Sequence, residues 1–165
     1  MSQNVEALIA SLAASDIAAR REAAESLARL GAGAAPAAIP LVKACGDADE
    51  EVRNWAVAAL EELPAPTASD AAALEEMINV DRLDVAFWAT TLLGRMETSA
   101  ASTVPTLAVA VANHPESVVQ QRAAWALGRI GKPAAAAIPQ LEAATASKDP
   151  RLARLASAAL ESVRS

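Results

Sequence analysis

The segment AAESLARLG, Ala23–Gly31, decides the fold because four related segments follow it at a regular spacing. They are AVAALEELP at Ala56–Pro64, ATTLLGRME at Ala89–Glu97, AAWALGRIG at Ala123–Gly131 and ASAALESVR at Ala156–Arg164. The leucines of these segments are spaced by 33 or 34 residues and are Leu27, Leu60, Leu93, Leu127 and Leu160. A second set of leucines has the same period and consists of Leu8, Leu41, Leu74, Leu107 and Leu141. Two apolar segments per period predict two helices per repeat. One such unit is too small to bury its own apolar face, so neighbouring repeats must stack.

Each repeat is predicted to contain an outer helix followed by an inner helix. The outer helices are expected at Val5–Ala14, Ala35–Cys45, Ser69–Ile78, Ser102–Ala112 and Ala134–Thr145. The inner helices are expected at Ile17–Leu30, Glu50–Leu63, Leu83–Met96, Ser117–Ile130 and Arg151–Val163. The aspartates predicted to cap inner helices at their N-termini are Asp16, Asp49, Asp81 and Asp149. Gly31 and Gly131 follow inner helices, where a left-handed C-cap is favoured.

Composition favours an all-α chain with a thin aliphatic core. Alanine, the residue with the highest helix propensity, occurs 45 times among 165 residues, and there is no tyrosine. We expect one repeat domain over residues 1–165, although this length also allows two small domains. The repeats are expected at about 3–31, 34–64, 68–97, 101–131 and 134–164. A stiff turn at Pro64–Thr67 is predicted to join the second and third repeats.

Charge is unevenly distributed along the chain. Residues 1–80 carry 5 basic and 13 acidic side chains, and residues 81–165 carry 9 basic and 7 acidic ones. The net charge of −6 disfavours binding to a phosphate backbone, so we expect no nucleic acid partner. The single cysteine, Cys45, lies on an apolar stripe and is expected to be a buried thiol. No secretory leader or membrane-spanning run is recognisable, so a cytoplasmic location is expected.

The residues identify a repeat family. The segments EEVRNWAVAALEEL, AARREAAESLARLGAGAAPAAIPL and VVQQRAAWALGRIGKPAAAAIPQL resemble HEAT repeats, and in particular the HEAT-like repeats of phycobilisome lyases. Ankyrin and tetratricopeptide repeats have similar periods, but their signature residues are missing here. The resemblance implies an armadillo-like, right-handed α-α superhelix of five two-helix repeats whose inner helices line the concave face.

The resemblance also implies a role for one arginine position. The arginine typical of the family matches Arg20 and Arg53, each four residues after a turn aspartate, Asp16 or Asp49, with which such an arginine often pairs. The equivalent residues later in the chain are Ala86, Gln120 and Ala153. Any continuous ladder of aspartate–arginine pairs is therefore expected to be interrupted in the second half.

Tryptophan and arginine side chains on the inner helices are the leading candidates for a binding surface. Trp55 and Trp88 occupy the same repeat position, and helical spacing groups them with residues three and seven positions later. The predicted partner-binding residues of the concave face are Trp55, Glu62, Trp88, Thr91, Arg95, Arg122, Trp125 and Arg129. Tryptophan and arginine are enriched at binding hot spots. Alternatively, these tryptophans fill space between neighbouring alanine-rich helices.

The third repeat departs furthest from the others. Phe87, Trp88, Thr90 and Thr91 replace smaller or more polar residues. We therefore expect this repeat to form the centre of a functional groove.

Catalytic and metal sites have little support in the sequence. His114 is the only histidine and Cys45 the only cysteine, which is too few for a histidine-rich or cysteine-based metal site. The acidic residues Asp47, Asp49, Glu50 and Glu51 crowd one turn, but they lack the spacing of a calcium-binding loop. We predict no catalytic residues, no metal and no cofactor.

The sequence thus favours a non-enzymatic interaction module or scaffold that holds a protein or peptide in its concave groove. A subunit of a bilin lyase or of another chromophore-handling complex is the main alternative, implied by the family resemblance. A HEAT-like DNA-repair glycosylase is a further alternative, which the acidic composition opposes. We expect no membrane partner, and either a monomer or a weak dimer through the terminal repeats.

Overall fold

The computed structural model describes residues 4–165, and all regular secondary structure in that part of the chain is helical. Contacts divide the chain into two compact units, a first that ends at Pro64 and a second spanning Ala65–Ser165. The division falls in the proline-containing stretch that the sequence singled out as a turn. Each unit is built from successive pairs of helices, an outer helix followed by an inner one, as the repeat pattern predicts.

The first unit contains two helix pairs. Its helices are α1 (Val5–Leu12), α2 (Ile17–Leu30), α3 (Ala38–Ala44) and α4 (Glu50–Glu62). The second unit contains three pairs. Its helices are α5 (Ala71–Glu76), α6 (Leu83–Arg95), α7 (Val104–Asn113), α8 (Ser117–Ile130), α9 (Ile138–Ala144) and α10 (Pro150–Arg164).

The inner helices α2, α4, α6, α8 and α10 begin and end within one residue of their predicted bounds. The outer helices after α1 begin later than expected, because short 3₁₀ segments replace their first residues. These segments are Gly31–Ala37, Ala68–Asp70, Glu97–Thr103 and Lys132–Ala137. In three of the four, a proline explains the difference. Pro40, Pro105 and Pro139 lie in the first turn of their helices, and an earlier start would place a proline ring against the preceding helical turn.

Three of the four predicted N-caps are present. The carboxylate of Asp16 accepts the Ala19 N–H at 3.0 Å, that of Asp49 accepts the Val52 N–H at 3.1 Å, and that of Asp149 accepts the Arg151 N–H at 2.9 Å. The prediction for Asp81 is wrong, because Arg82 occupies the N-cap position of α6 and makes no side-chain cap. Gly31 and Gly131 follow α2 and α8 with φ of 51° and 73°, a conformation that an L side chain would strain.

The periodic leucines form the core of each unit. Leu27 and Leu60 in the first unit, and Leu93 and Leu127 in the second, are completely buried. The outer-helix leucines Leu41, Leu74, Leu107 and Leu141 are also completely buried, whereas Leu8 is only partly covered. Burial of one leucine side chain is worth about 1.5–3 kcal/mol. The regular leucine spacing therefore sets the register in which each helix pair packs.

Candidate functional site

The inner helices of the second unit bring together two arginines and three aromatic side chains. Arg122 on α8 lies over the ring of Phe87 on α6, with 4.6 Å from its Cζ atom to the ring centroid. The same Cζ atom is 5.1 Å from the ring centroid of Trp125, one helical turn further along α8. Arg95 lies 5.6 Å from the centroid of Trp88, whose ring packs edge-on against Phe87 at 5.8 Å. We call these five residues the Arg122 cluster.

Trp125 is positioned by a glycine on the neighbouring helix. A Cβ atom placed on Gly94 of α6 would lie 2.3 Å from Cζ3 of Trp125, which is far inside van der Waals contact. The indole therefore occupies the space that any larger residue at position 94 would fill. It seals the contact between α6 and α8, yet it stays partly exposed on its outer side. Trp125 therefore fills space between neighbouring helices, as the alternative interpretation of the sequence expected, and part of its surface stays accessible.

Arg122 differs electrostatically from most arginines of the chain. The pKa of its guanidinium is lowered, first because the group is half-buried and then because the cations of Arg151 and Arg95 lie nearby. Within residues 4–165 it makes neither an ion pair nor a hydrogen bond to a carboxylate. Its contacts with Phe87 and Trp125 are cation–π contacts, each worth about 0.5–2 kcal/mol depending on exposure. A cation held in this way keeps its N–H donors available.

Two cavities adjoin the cluster along α8 and α10, and we call them together the α8–α10 groove. The larger, of about 320 Å³, is lined by Phe87, Val118, Gln121, Arg122, Trp125, Arg151 and Leu155. The smaller, of about 210 Å³, is lined by Trp125, Gly128, Arg129, Leu155, Ala158, Ala159 and Ser162. Trp125 and Leu155 are common to both. Neither lining contains an aspartate or a glutamate.

The far wall of the groove is formed by α10. On this helix Leu152, Ala156, Ala159 and Leu160 are buried, whereas Leu155 remains partly exposed. Most of the apolar face of α10 is therefore covered, and Leu155 contributes its accessible part to the groove.

Gln121 is fixed at the edge of the groove by a capping carboxylate. Its Nε2 atom donates to Asp149 Oδ2 at 2.6 Å, and the Ser117 hydroxyl donates to the same oxygen. Hydrogen bonds to its carboxylate lower the pKa of Asp149 to about 2; the bond from Ser117 contributes most, followed by the bond from Gln121 and those from backbone N–H groups. This carboxylate is therefore occupied in joining α8 to α10.

The predicted site residues of the second unit have different environments. Trp88 is 8% exposed and Thr91 is 5% exposed, and the Thr91 hydroxyl donates to the Phe87 carbonyl within its own helix. Both leave little surface for a partner. Arg129 is exposed and forms an ion pair with Glu97. Arg122 and Trp125, by contrast, lie together and line a cavity.

The other predicted site residues lie in the first unit. Trp55 is half-buried on α4, and Glu62 is exposed at the last residue of that helix. Both contribute to the surface of α4.

The predicted binding residues did not include Val118, Gln121, Arg151 or Leu155, and Phe87 was named only as a mark of the irregular third repeat. Phe87 had a signal, because it is the only phenylalanine of the chain and directly precedes Trp88. Leu155 also had one, since it occupies the repeat position of Trp88 and Arg122. Val118 and Gln121 had none, because their place in the groove depends on how α8 packs against α10.

In the first unit, the arginines join successive helix pairs. Arg20 on α2 donates through Nε to Asp47 Oδ2 at 2.8 Å, and Arg21 donates to Asp49 at 2.7 Å. Burial raises the pKa of Asp47, but the hydrogen bonds from Arg20 and the Asp49 N–H outweigh it, so the pKa lies below its ordinary value. The pKa of Asp49 is lowered further, chiefly by Arg21. Much of the acidic patch around residue 49 is thus neutralised by arginines.

The expected pairing of each family arginine with the aspartate four residues upstream is wrong. Arg20 pairs with Asp47 of the next repeat, and its NH1 group also donates to the Ala14 carbonyl at 3.0 Å. Arg53 donates to the carbonyls of Asp47 and Ala48, since the Asp49 carboxylate already caps α4 and binds Arg21. An aspartate at an N-cap turns its oxygens toward the helix and away from an arginine one turn later.

His114 has a structural role in the second unit. Its ring is 8% exposed, and Nδ1 accepts the Glu116 N–H at 3.1 Å. The other nitrogen, Nε2, therefore carries the proton and donates to the Ile78 carbonyl at 3.1 Å. Residues 4–165 contain no group of three or more histidine, cysteine, aspartate or glutamate side chains placed to hold a metal ion. No helix in the described part of the chain is long and apolar enough to cross a membrane.

Comparison with known proteins agrees with the fold. No curated protein matches the chain. Among solved structures, an engineered protein is similar with a TM-score of 0.63 and 23% identity, over 98% of this chain and 80% of that one. A designed armadillo repeat protein in complex with the peptide (KR)4 has a TM-score of 0.65 and 20% identity, over 96% of this chain and 81% of that one.

The complex of CpcE and CpcF of phycocyanin lyase from Nostoc sp. PCC7120 is also similar, with a TM-score of 0.65 and 22% identity. The match covers 99% of this chain and 66% of that one. At such identities the likeness concerns the fold alone. The sequence model of the family described as HEAT repeats matches residues 5–94 and 81–161, which together span most of the chain. The chain therefore belongs to the HEAT-repeat family.

Proposed function

We propose that this protein is a non-enzymatic interaction module that holds a protein or peptide segment in the α8–α10 groove. One observation carries the proposal. Arg122 is held between Phe87 and Trp125, lacks a carboxylate partner among residues 4–165, and lines a cavity with Arg151 and Leu155. An arginine and a tryptophan that are both rigid and accessible are typical of a binding hot spot.

The repeat fold supports this function. Stacked helices present a long surface that is stable without any bound partner, which suits a scaffold. The designed armadillo repeat protein of similar fold was solved with a bound peptide. The ligand proposed here is likewise a protein or peptide segment, and inner-helix side chains would supply the contacts.

A bilin-handling function remains the alternative because of the likeness to the phycocyanin lyase complex. Free bilin is therefore an additional ligand in the test below. A cytoplasmic location is also part of the proposal. We also propose a monomer, or a weak dimer through the terminal repeats.

The test is selection of a random dodecapeptide display library against the full chain. Counter-selection uses the Leu155→Glu variant, which places a charge in the wall common to both cavities. The matched control is Leu83→Glu, because Leu83 is 45% exposed and lines neither cavity. Circular dichroism verifies that both variants keep their helical content.

We expect peptides that bind the wild type and Leu83→Glu but not Leu155→Glu. Absence of any enriched peptide would overturn the proposed function, as would peptides that bind all three proteins equally. A change in bilin absorbance on mixing with the wild type, lost in Leu155→Glu, would favour the chromophore-handling alternative.

A further inference from the structure

We propose that the segment bound in the α8–α10 groove is an acidic, extended peptide that places a carboxylate on Arg122 and an apolar side chain against Trp125 and Leu155. This inference rests on the proposed function and specifies the chemistry of the partner. It follows from the charge of the groove, the free donors of Arg122 and the apolar walls beside it.

The charge of the groove favours an anionic partner. Arg122 and Arg151 line the larger cavity and Arg129 lines the smaller one, and neither lining includes a carboxylate. Arg129 has Glu97 as a partner, so Arg122 and Arg151 are the main source of positive potential. The half-buried cation of Arg122 is repelled by the cations of Arg151 and Arg95. A bound carboxylate would relieve that repulsion.

The donors of Arg122 favour a carboxylate over other anionic or polar groups. A guanidinium presents paired N–H groups that match the two oxygens of a carboxylate. Contacts with Phe87 and Trp125 hold the guanidinium in place, so less conformational entropy is lost on binding. Hydrogen bonds of this charged type contribute more than neutral ones.

The walls beside Arg122 favour an apolar side chain next to that carboxylate. Phe87, Val118, Trp125 and Leu155 contribute apolar surface to the 320 Å³ cavity. In an extended peptide, residues two apart point to the same side and lie about 7 Å from each other. The Cζ atom of Arg122 is 5.1 Å from the Trp125 centroid. One acidic and one apolar residue, separated by a single position, therefore reach both features.

The test measures fluorescence polarisation of labelled synthetic dodecapeptides with the full chain. The probe repeats Ser-Asp-Ser-Leu three times, and the matched peptides replace every aspartate with asparagine or with lysine. The chain variants are Arg122→Met, which keeps an unbranched side chain against the rings, and Arg154→Met. Arg154 is exposed on α10 and lines neither cavity, so it controls for the loss of one positive charge.

We expect the aspartate peptide to bind about tenfold or more tightly than the asparagine peptide. Arg122→Met should remove about the same factor, Arg154→Met should have little effect, and added salt should weaken binding. Equal affinity for the aspartate and asparagine peptides, or preference for lysine, would overturn the inference. If the peptides bind with equal affinity but Leu155→Glu abolishes their binding, the proposed function stands and only the inference about a carboxylate is overturned.

Absence of binding by every peptide, together with a failed library selection, would overturn the proposed function itself. A further outcome concerns a second copy of this chain, because residues 1–80 are strongly acidic. Concentration-dependent dimerisation that Arg122→Met abolishes would overturn the inference, since the second copy would then be the occupant. Size-exclusion chromatography of both proteins measures this.

Discussion

Arginine has different partners in the two units, although both are built from the same repeat. In the first unit, Arg20, Arg21 and Arg29 pair with carboxylates. In the second unit, Gln120 and Gln121 occupy the positions of Arg20 and Arg21, whereas Arg129, at the position of Arg29, pairs with Glu97. Gln121 binds Asp149 as Arg21 binds Asp49, and Gln120 donates to the His114 carbonyl as Arg53 donates to that of Asp47. The same backbone arrangement can therefore be stabilised by a charged arginine or by a neutral glutamine.

This difference has a consequence for the surface of the second unit. Phe87 on α6 occupies the repeat position of Arg21, and Arg122 of the next inner helix, α8, lies on its ring. Where the first unit has an arginine and a carboxylate, the second has an aromatic ring and an arginine with no acidic partner among residues 4–165. The second unit therefore holds a half-buried cation by aromatic contacts.

The largest expected effect compares the two tryptophans that share a repeat position. Trp88 is buried in the second unit, whereas Trp55 is half-buried in the first. We expect Trp88→Ala to lower the free energy of unfolding by about 3–5 kcal/mol, because it removes a large buried side chain. Trp55→Ala should lower the free energy of unfolding by clearly less, because the Trp55 side chain is only half-buried.

Urea denaturation followed by circular dichroism measures both changes. Equal losses for the two variants would contradict the comparison. The result also bears on binding studies, since a variant at Trp88 tests stability more than recognition. Leu155 and Arg122 are the more suitable positions for those studies.

An intermediate effect is expected for glycines that differ in their surroundings. A Cβ atom on Gly128 of α8 would lie 3.0 Å from the Cα atom of Ala159 on α10, whereas one on Gly33 would meet only the Leu30 Cβ atom at 3.8 Å. Gly128→Ala should destabilise the second unit by about 1–3 kcal/mol, because helix backbones cannot move apart freely. Gly33→Ala should be neutral or slightly stabilising.

Thermal unfolding of both variants provides the measurement. A Gly128→Ala protein as stable as Gly33→Ala would mean that α8 and α10 are not packed as closely as described. The pair is matched, since each change adds one methyl group. The two sites differ in the distance to the nearest atom and in backbone setting, since Gly128 lies within α8 and Gly33 lies in the 3₁₀ segment after α2.

The smallest expected effect is on the pH dependence of stability, to which one capping carboxylate in each unit contributes. The pKa values of Asp49 and Asp149 are below that of an unfolded chain, about 3.9. Each therefore stabilises the fold above that pH, and for Asp149 this contribution is lost as the pH falls from about 4 to about 2. Asp49→Asn and Asp149→Asn should each make the free energy of unfolding depend less on pH below about 4. The amide oxygen of the asparagine can still accept the capping N–H groups.

Salt should separate these two variants. Asp49 is held chiefly by the cation of Arg21, so its contribution should fall at high ionic strength. Asp149 is held chiefly by the neutral donors Ser117 and Gln121, so its contribution should change less. Urea midpoints between pH 2 and pH 5, at low and high salt, measure both. The same salt response for the two variants would remove the proposed distinction.

Much of the fold was predictable because it depends on local and periodic signals. The leucine period gave the helix pairs, and Asp16, Asp49 and Asp149 gave three helix starts. The prediction at Asp81 failed because a carboxylate one residue from the N-cap position cannot reach the free N–H groups. The arginine pairing failed because Arg20 and Asp47 are far apart in sequence and meet only when α2 packs near the start of α4.

The candidate site was only partly predictable for a similar reason. Helical spacing grouped Trp88, Arg122 and Trp125 correctly on inner helices, but spacing alone does not determine depth. Trp88 is buried, Trp125 rests on Gly94, and Leu155 remains accessible. These outcomes depend on the size of residues that face them from the neighbouring helix.

The sequence by itself determined the family, the helix pairs and the residues of the leucine core, because the 33- or 34-residue period repeats the same local hydrophobic pattern. Tertiary structure alone decided which arginines find carboxylates and which do not. Contacts such as Arg20–Asp47 and Arg122–Phe87 join residues from successive repeats. Whether an arginine stabilises the fold or remains available for a partner is therefore set by the side chain that the next helix places opposite it.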